Sequence, residues 1–191
     1  KGTPSVQLLP IPREEKITSL VAVDSFDNDC YLLMLTKAGF IKRTSLSAFS
    51  KIRSNGLIAI NLEDGDALTW VRLSKEGDSV LIGSRTGMAI HFRLDINELR
   101  PLGRTARGVK SMNLRKGDNL VSMDVLASNL VDQLDENEDL TKEFDENIQV
   151  NTSDGPWVLI ASAFGLGKRV PVTQFRLQKR AGMGLRAIKF R

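Results

Sequence analysis

The chain has 191 residues, 41% of them hydrophobic and 26% charged, with a formal net charge of +4 at pH 7. That is enough apolar material for one sizeable core, yet no apolar run approaches the roughly 20 residues that cross a bilayer as a helix. A lone cysteine (Cys30) and a lone histidine (His91) exclude an intramolecular disulfide framework and leave a zinc cage without ligands, so neither a metal site nor a catalytic residue is expected in this chain.

Along the chain the same pattern recurs three times. The first copy opens Tyr31-Leu-Leu-Met-Leu-Thr-Lys-Ala-Gly39-Phe-Ile-Lys42-Arg43, the second Ser79-Val-Leu-Ile-Gly-Ser-Arg-Thr-Gly87-Met-Ala-Ile-His91, the third Trp157-Val-Leu-Ile-Ala-Ser-Ala-Phe-Gly165-Leu-Gly-Lys168-Arg169. Each is a short apolar run closed by a glycine turn, which predicts a strand, a hairpin and a second strand. Downstream of each comes an apolar residue (Phe49, Leu99, Phe175), a basic stretch, a glycine and another short apolar run. Two copies then close with Leu-x-x-Gly-Asp, at Leu62 to Asp66 and Leu114 to Asp118, predicting further turns. Phe49, Leu99 and Phe175 are expected in the core, and Tyr31, the sole tyrosine, in the core or on a strand face, with no catalytic role.

Gly39 and Gly87 are 48 residues apart, and Gly56 and Gly108 are 52 apart. Gly87 and Gly165 are separated by 78, an excess supplied by the polar stretch 127–154. A period of about 50 residues suits one propeller blade of four short strands. The predicted fold is all-β, propeller-like, with approximate units 18–66, 67–118 and 119–191, the third interrupted at 127–154. Such units bury their apolar faces against copies of themselves, and these read as part of a larger disc.

Charge is distributed unevenly. The stretch 127–154 holds nine acids and one base, a net −8, so the remainder carries 26 bases against 14 acids, or +12. From Gly155 onward there are eight bases and no acid. A basic excess on a β scaffold points to a polyanion, and nucleic acid is the commonest. Lys and Arg neutralise phosphates without reading bases, and the expected DNA contacts are Lys42, Arg43, Arg53, Arg104, Arg107, Lys110, Lys168, Arg169, Gln178, Lys179, Arg180 and Arg186. The acidic stretch reads as a solvated loop. A competing reading is that it screens the basic rim from DNA.

The combination of Gly-x-x-Lys-Arg, a basic glycine-ended loop, Ala-Ile and Leu-x-x-Gly-Asp resembles the C-terminal domain of the DNA gyrase A subunit. Ile52-Arg-Ser-Asn-Gly-Leu-Ile-Ala-Ile60 and Gly103-Arg-Thr-Ala-Arg-Gly-Val109 carry the likeness, and residues 1–17 are similar to that family's link from a preceding blade. The resemblance implies a β-pinwheel that binds and wraps duplex DNA without performing chemistry. It also implies a parent type II topoisomerase, supercoiling DNA with ATP and Mg used by other domains. Its partners would be duplex DNA, the rest of gyrase A, and gyrase B in an A2B2 assembly, with no membrane. The family's seven-residue box, Gln-Arg-Arg-Gly-Gly-Lys-Gly, is echoed by Gln178-Lys-Arg-Ala-Gly-Met-Gly184, which departs from it at three positions, Lys179, Ala181 and Met183. The polar insertion resembles plant organellar forms, favouring plastid or mitochondrion over the bacterial cytoplasm or nucleoid. The alternatives are a propeller that binds proteins and the equivalent domain of topoisomerase IV.

Overall fold

The computed structural model describes residues 2, 12, 14–26, 29–51, 53, 55–130 and 156–189. The acidic stretch beyond residue 130, and most of the expected 1–17 connection, lie outside the described residues. The regular structure is almost wholly β: β1 Tyr31–Thr36, β2 Phe40–Ser45, β3 Leu68–Ser74, β4 Ser79–Ser84, β5 Met88–Arg93, β6 Val109–Lys110, β7 Leu120–Leu126, β8 Trp157–Ala161, β9 Gly167–Pro171 and β10 Leu185–Arg186. Single 3-10 turns, Leu46–Phe49 and Val172–Gln174, follow β2 and β9.

The three repeat openings form the expected antiparallel hairpins, β1–β2, β4–β5 and β8–β9, in matching registers: Tyr31 opposes Ser45, Ser79 opposes Arg93 and Trp157 opposes Pro171. The Leu-x-x-Gly-Asp motifs fold back onto these hairpins. Asp66 Oδ1 accepts the Ala38 and Ala67 amides, each at 2.8 Å. Asp118 Oδ1 likewise accepts the Thr86 amide at 3.1 Å and that of Asn119 at 2.9 Å. Each aspartate therefore caps the preceding hairpin turn and returns the next strand to that hairpin. As a result β3 pairs with β1, and β7 with β4.

The sheets consequently cut across the unit boundaries read from the repeat. One four-stranded sheet has the order β3-β1-β2-β6, the other β10-β5-β4-β7, and β8–β9 stands as a two-stranded sheet among the described residues. β3 belongs with the first hairpin and not with the unit 67–118, because the Asp66-capped turn reverses the chain. The outermost strand of each four-stranded sheet arrives from the following repeat. Phe40 pairs with Lys110 of β6, and Met88 with Arg186 of β10.

That exchange depends on Gly108 and Gly184, each directly before the incoming strand. They adopt φ +100° and +75°, where a side chain is strained. A Cβ at Gly108 would lie 2.6 Å from the Ile41 carbonyl oxygen, and one at Gly184 would collide with that of Ala89. Only glycine lets the two backbones approach this closely.

The core lies between sheets. Leu33 and Leu35 of the first sheet pack with Val80, Ile82, Ile90 and Phe92 of the second in one buried cluster. Leu81 and Ala89, on the opposite face of the second sheet, join Val170 and Phe175 in another, with Val158 and Ile160 against it. A fully buried side chain of this size stabilises by about 1.5–3 kcal/mol relative to exposure. Residues 79–82 of β4, covered on both faces, are buried without alternation. In β8 burial alternates, and Leu159, the counterpart of buried Leu33 and Leu81, is 75% exposed. Phe49, Leu99 and Phe175 are buried, as their repeat position predicts, and Tyr31 is half-buried on β1.

Candidate nucleic-acid interface

The expected DNA contacts divide into three groups. Lys42 and Arg43 form the first, and both are fully buried. They stand on β2, an interior strand of the first sheet, and face opposite sides: Arg43 shares the face of Leu33 and Ile41 that packs on the second sheet, and Lys42 lies on the other, under loop 103–106. Lys42 Nζ donates to the carbonyls of Gly103, Arg104 and Ala106 at 2.5–3.0 Å. Arg43 donates through Nε to Leu99 O and through Nη1 to Leu94 O (2.8 Å) and Glu76 Oε2 (2.7 Å), with its guanidinium 4.7 Å from the Tyr31 ring centre. With their donors engaged inside the fold, neither meets a phosphate in this arrangement. This corrects the sequence expectation: a conspicuous Lys-Arg pair holds the next repeat in place. Burial lowers the Lys42 pKa from 10.5 to about 8.

The second group forms struts at the surface. Arg180 donates its amide to Glu98 Oε2, Nε to Glu98 O and Nη1 to Lys110 O, at 2.7–3.0 Å, so it ties the third repeat to the second. Arg107 is exposed, ion-paired with Glu63 and stacked 4.3 Å over Phe40. Arg104 is half-buried, and its carbonyl is one of those Lys42 holds. The half-buried Gln178 donates its main-chain N–H to His91 O at 2.8 Å. Gln178, Arg180, Gly182 and Gly184 of the box-like stretch thus form a cross-repeat joint. Within it Ala181 takes φ +63°, where the box has glycine.

The third group is exposed: Arg53, Lys110, Lys168, Arg169, Lys179 and Arg186. Arg169, the counterpart of Arg43, stacks 4.3 Å over Trp157, the counterpart of Tyr31. Lys110 and Arg186 occupy equivalent places on the incoming strands β6 and β10. Three cations that the sequence reading passed over join them: Lys37, Arg85 and Lys189, all exposed. Lys37 and Arg85 each stand two residues before the hairpin glycine, so aligning the copies on Gly39 and Gly87 would have found them. Arg85, Thr86, Arg186, Ile188 and Lys189 line one open cleft of about 470 Å³. Asp118, beneath the same hairpin, is occupied elsewhere. Burial raises its pKa, but hydrogen bonds from Thr86, Ser84 and the Asn119 amide outweigh that and hold it below the usual carboxylate value.

Successive sheets that exchange strands through a glycine-ended basic loop define a propeller-like β-pinwheel. A family profile described as "DNA gyrase C-terminal domain, beta-propeller" matches residues 31–75, 78–127 and 156–191. The chain is 57% identical to the DNA gyrase A subunit of Synechocystis sp. over 100% of its own length and 23% of that protein's. It is 41% identical to the chloroplastic/mitochondrial DNA gyrase A subunit of Arabidopsis thaliana over 99% of its length and 19% of the relative's. Among solved structures it is similar to the C-terminal domain of DNA topoisomerase IV, with TM-score 0.74, 27% identity and coverage of 96% of this chain and 49% of that one. A DNA gyrase A C-terminal domain shares the fold, with TM-score 0.72, 24% identity and coverage of 96% and 52%. The chain belongs to the DNA gyrase C-terminal domain family and spans about a fifth of the length of the curated relatives it matches.

Proposed function

We propose that the chain is a non-catalytic DNA-binding and DNA-wrapping domain, working within gyrase A to support ATP-dependent negative supercoiling. The observation that carries this reading is the recurrence of exposed cations at each strand exchange, Lys110 beside Phe40 and Arg186 beside Met88. A bend in stiff duplex costs on the order of several kcal/mol, which contacts repeated along a curved path offset and a single patch does not. The exposed members of the expected set, Arg53, Lys110, Lys168, Arg169, Lys179 and Arg186, are the contacts proposed here. ATP and Mg would act through other domains, with the remainder of gyrase A and the gyrase B protein as partners. The compartment would be an organelle or the bacterial cytoplasm, in keeping with the two kinds of relative.

The test is binding of the chain to duplexes of increasing length across a salt series. Wrapping requires affinity that climbs with duplex length, and a log–log salt slope that grows by about 0.9 per additional phosphate engaged. Affinity independent of length would overturn it.

A further inference from the structure

The cleft at the second sheet is assembled from two repeats. Arg85 and Thr86 come from the β4–β5 hairpin, whereas Arg186, Ile188 and Lys189 come from the third repeat, delivered by β10. Behind the cleft, the amides of Ala187 and Ile188 both donate to Gly87 O, at 2.8 and 3.2 Å. Arg85 donates one Nη2 bond to Gly117 O at 2.8 Å and keeps further donors. Among the described residues, the Arg186 and Lys189 side chains make no hydrogen bond or ion pair. No acid is among the residues lining the cleft; Asp118 stands one hydrogen bond behind it, accepting from Ser84 and from the cleft residue Thr86.

The first sheet repeats the arrangement. Lys37 takes the place of Arg85, and its amide donates to Ala67 O just as that of Arg85 donates to Asn119 O, both at 2.8 Å. Lys110 takes the place of Arg186, in the same register against β2. Two cations from different repeats, brought to one hairpin by an exchanged strand, repel each other unless an anion lies between them.

We infer that each such pair is a seat for one backbone phosphate, and that the bound phosphate staples the incoming strand to the sheet receiving it. This rests on the DNA-binding reading and deepens it: the ligand closes the joint between repeats as well as lying along it. Arg85 and Arg186 provide planar donor forks suited to a phosphodiester, and Lys189 adds a point charge.

The test uses the whole chain with duplex DNA, comparing wild type, R85A, R186A, the double variant R85A/R186A and R85K. All the substituted positions are exposed. If one phosphate bridges both arginines, each single alanine variant weakens binding roughly tenfold, as losing a charge-assisted hydrogen bond should. The double variant is then little worse than either single one, because their losses overlap, and R85K falls between wild type and R85A, since it keeps the charge and loses the planar fork. Duplex DNA also slows hydrogen exchange at the Ala187 and Ile188 amides in wild type and not in R186A. Wild-type binding with losses that multiply, with no losses, or with unchanged exchange at those amides would overturn the staple and leave the DNA-binding reading standing. Failure of wild type to bind duplex at all would overturn both.

Discussion

Arg43 and His91 occupy the same place in successive sheets, four residues past the hairpin glycine, and each side chain reaches the equivalent backbone oxygen of the repeat that follows it. Arg43 Nε donates to Leu99 O; His91 Nδ1 lies 2.6 Å from Phe175 O. A carbonyl oxygen only accepts, so Nδ1 carries the proton, and in the neutral ring Nε2 accepts from Ser79 Oγ at 2.7 Å. The main chain adds a parallel bond, Leu102 N to Arg43 O and Gln178 N to His91 O, both 2.8 Å. Two chemically different side chains thus fasten neighbouring repeats at one position.

This fastening separates stability from DNA affinity. R43M leaves the carbonyls of Leu94 and Leu99 without their side-chain donor inside the fold and is expected to cost about 2–4 kcal/mol of unfolding free energy. The exposed variants R53A and K179A should shift stability by no more than about 0.5 kcal/mol. They should instead reduce the salt slope of DNA binding by up to about 0.9 each. Urea denaturation beside salt-dependent DNA titration checks both halves.

Lys42 carries a pH signature. Its pKa is about 8 in the fold against 10.5 ordinarily, so between these values the unfolded chain binds a proton that the folded chain does not. Stability from this residue therefore rises as pH increases from about 8 to 10.5 and is flat outside that window. The unfolding free energy of wild type minus that of K42M, measured across the window, should increase with pH; a constant difference would refute the assignment.

G184A is expected to release β10 from β5. The new methyl collides with Ala89 O at a backbone angle that disfavours it, a combination costing more than about 2 kcal/mol. Hydrogen exchange should accelerate first at the Ala187 and Ile188 amides, while β1 and β2 remain protected. Uniform acceleration throughout the chain would argue against a local joint.

A181G should act in the opposite direction. Ala181 sits at φ +63°, a left-handed conformation that costs a non-glycine residue roughly 1–2 kcal/mol. The greater freedom of glycine in the unfolded chain returns part of that. A net gain of about 0.5–1 kcal/mol is expected in urea denaturation. A loss would mean that the Ala181 methyl makes a packing contribution larger than its backbone strain.

The hairpins, the fold class and the core positions were legible because periodic apolar runs with glycine turns report on backbone geometry directly. Strand ownership was not. The run Leu68–Ser74 reads equally well as the end of one repeat or the start of the next, and only the Asp66 cap settles which hairpin it joins. The site was legible in part for a related reason. Lys42 and Lys168 share one repeat position, yet Lys42 is buried with the 103–106 loop of the next repeat closed over its amine, and Lys168 is exposed. Burial at that position depends on what packs above it, which a basic pair in the sequence does not reveal. Lys37 and Arg85 escaped notice because each is a lone base in a hairpin turn, informative only beside its counterpart.

Strand exchange has a consequence for how such a disc grows. The second repeat brings an acceptor hairpin for its successor and a donor strand for its predecessor, so duplicating such a contiguous stretch of sequence extends the array without inventing an interface. The reverse also holds: no single cut between repeats yields a whole number of finished sheets. Removing everything after residue 127, for instance, would take β10 away and leave Met88 and Ala89 at a bare edge. Gly108 and Gly184 are therefore the stitches of the molecule, and wear at one of them would be felt on both sides of the seam.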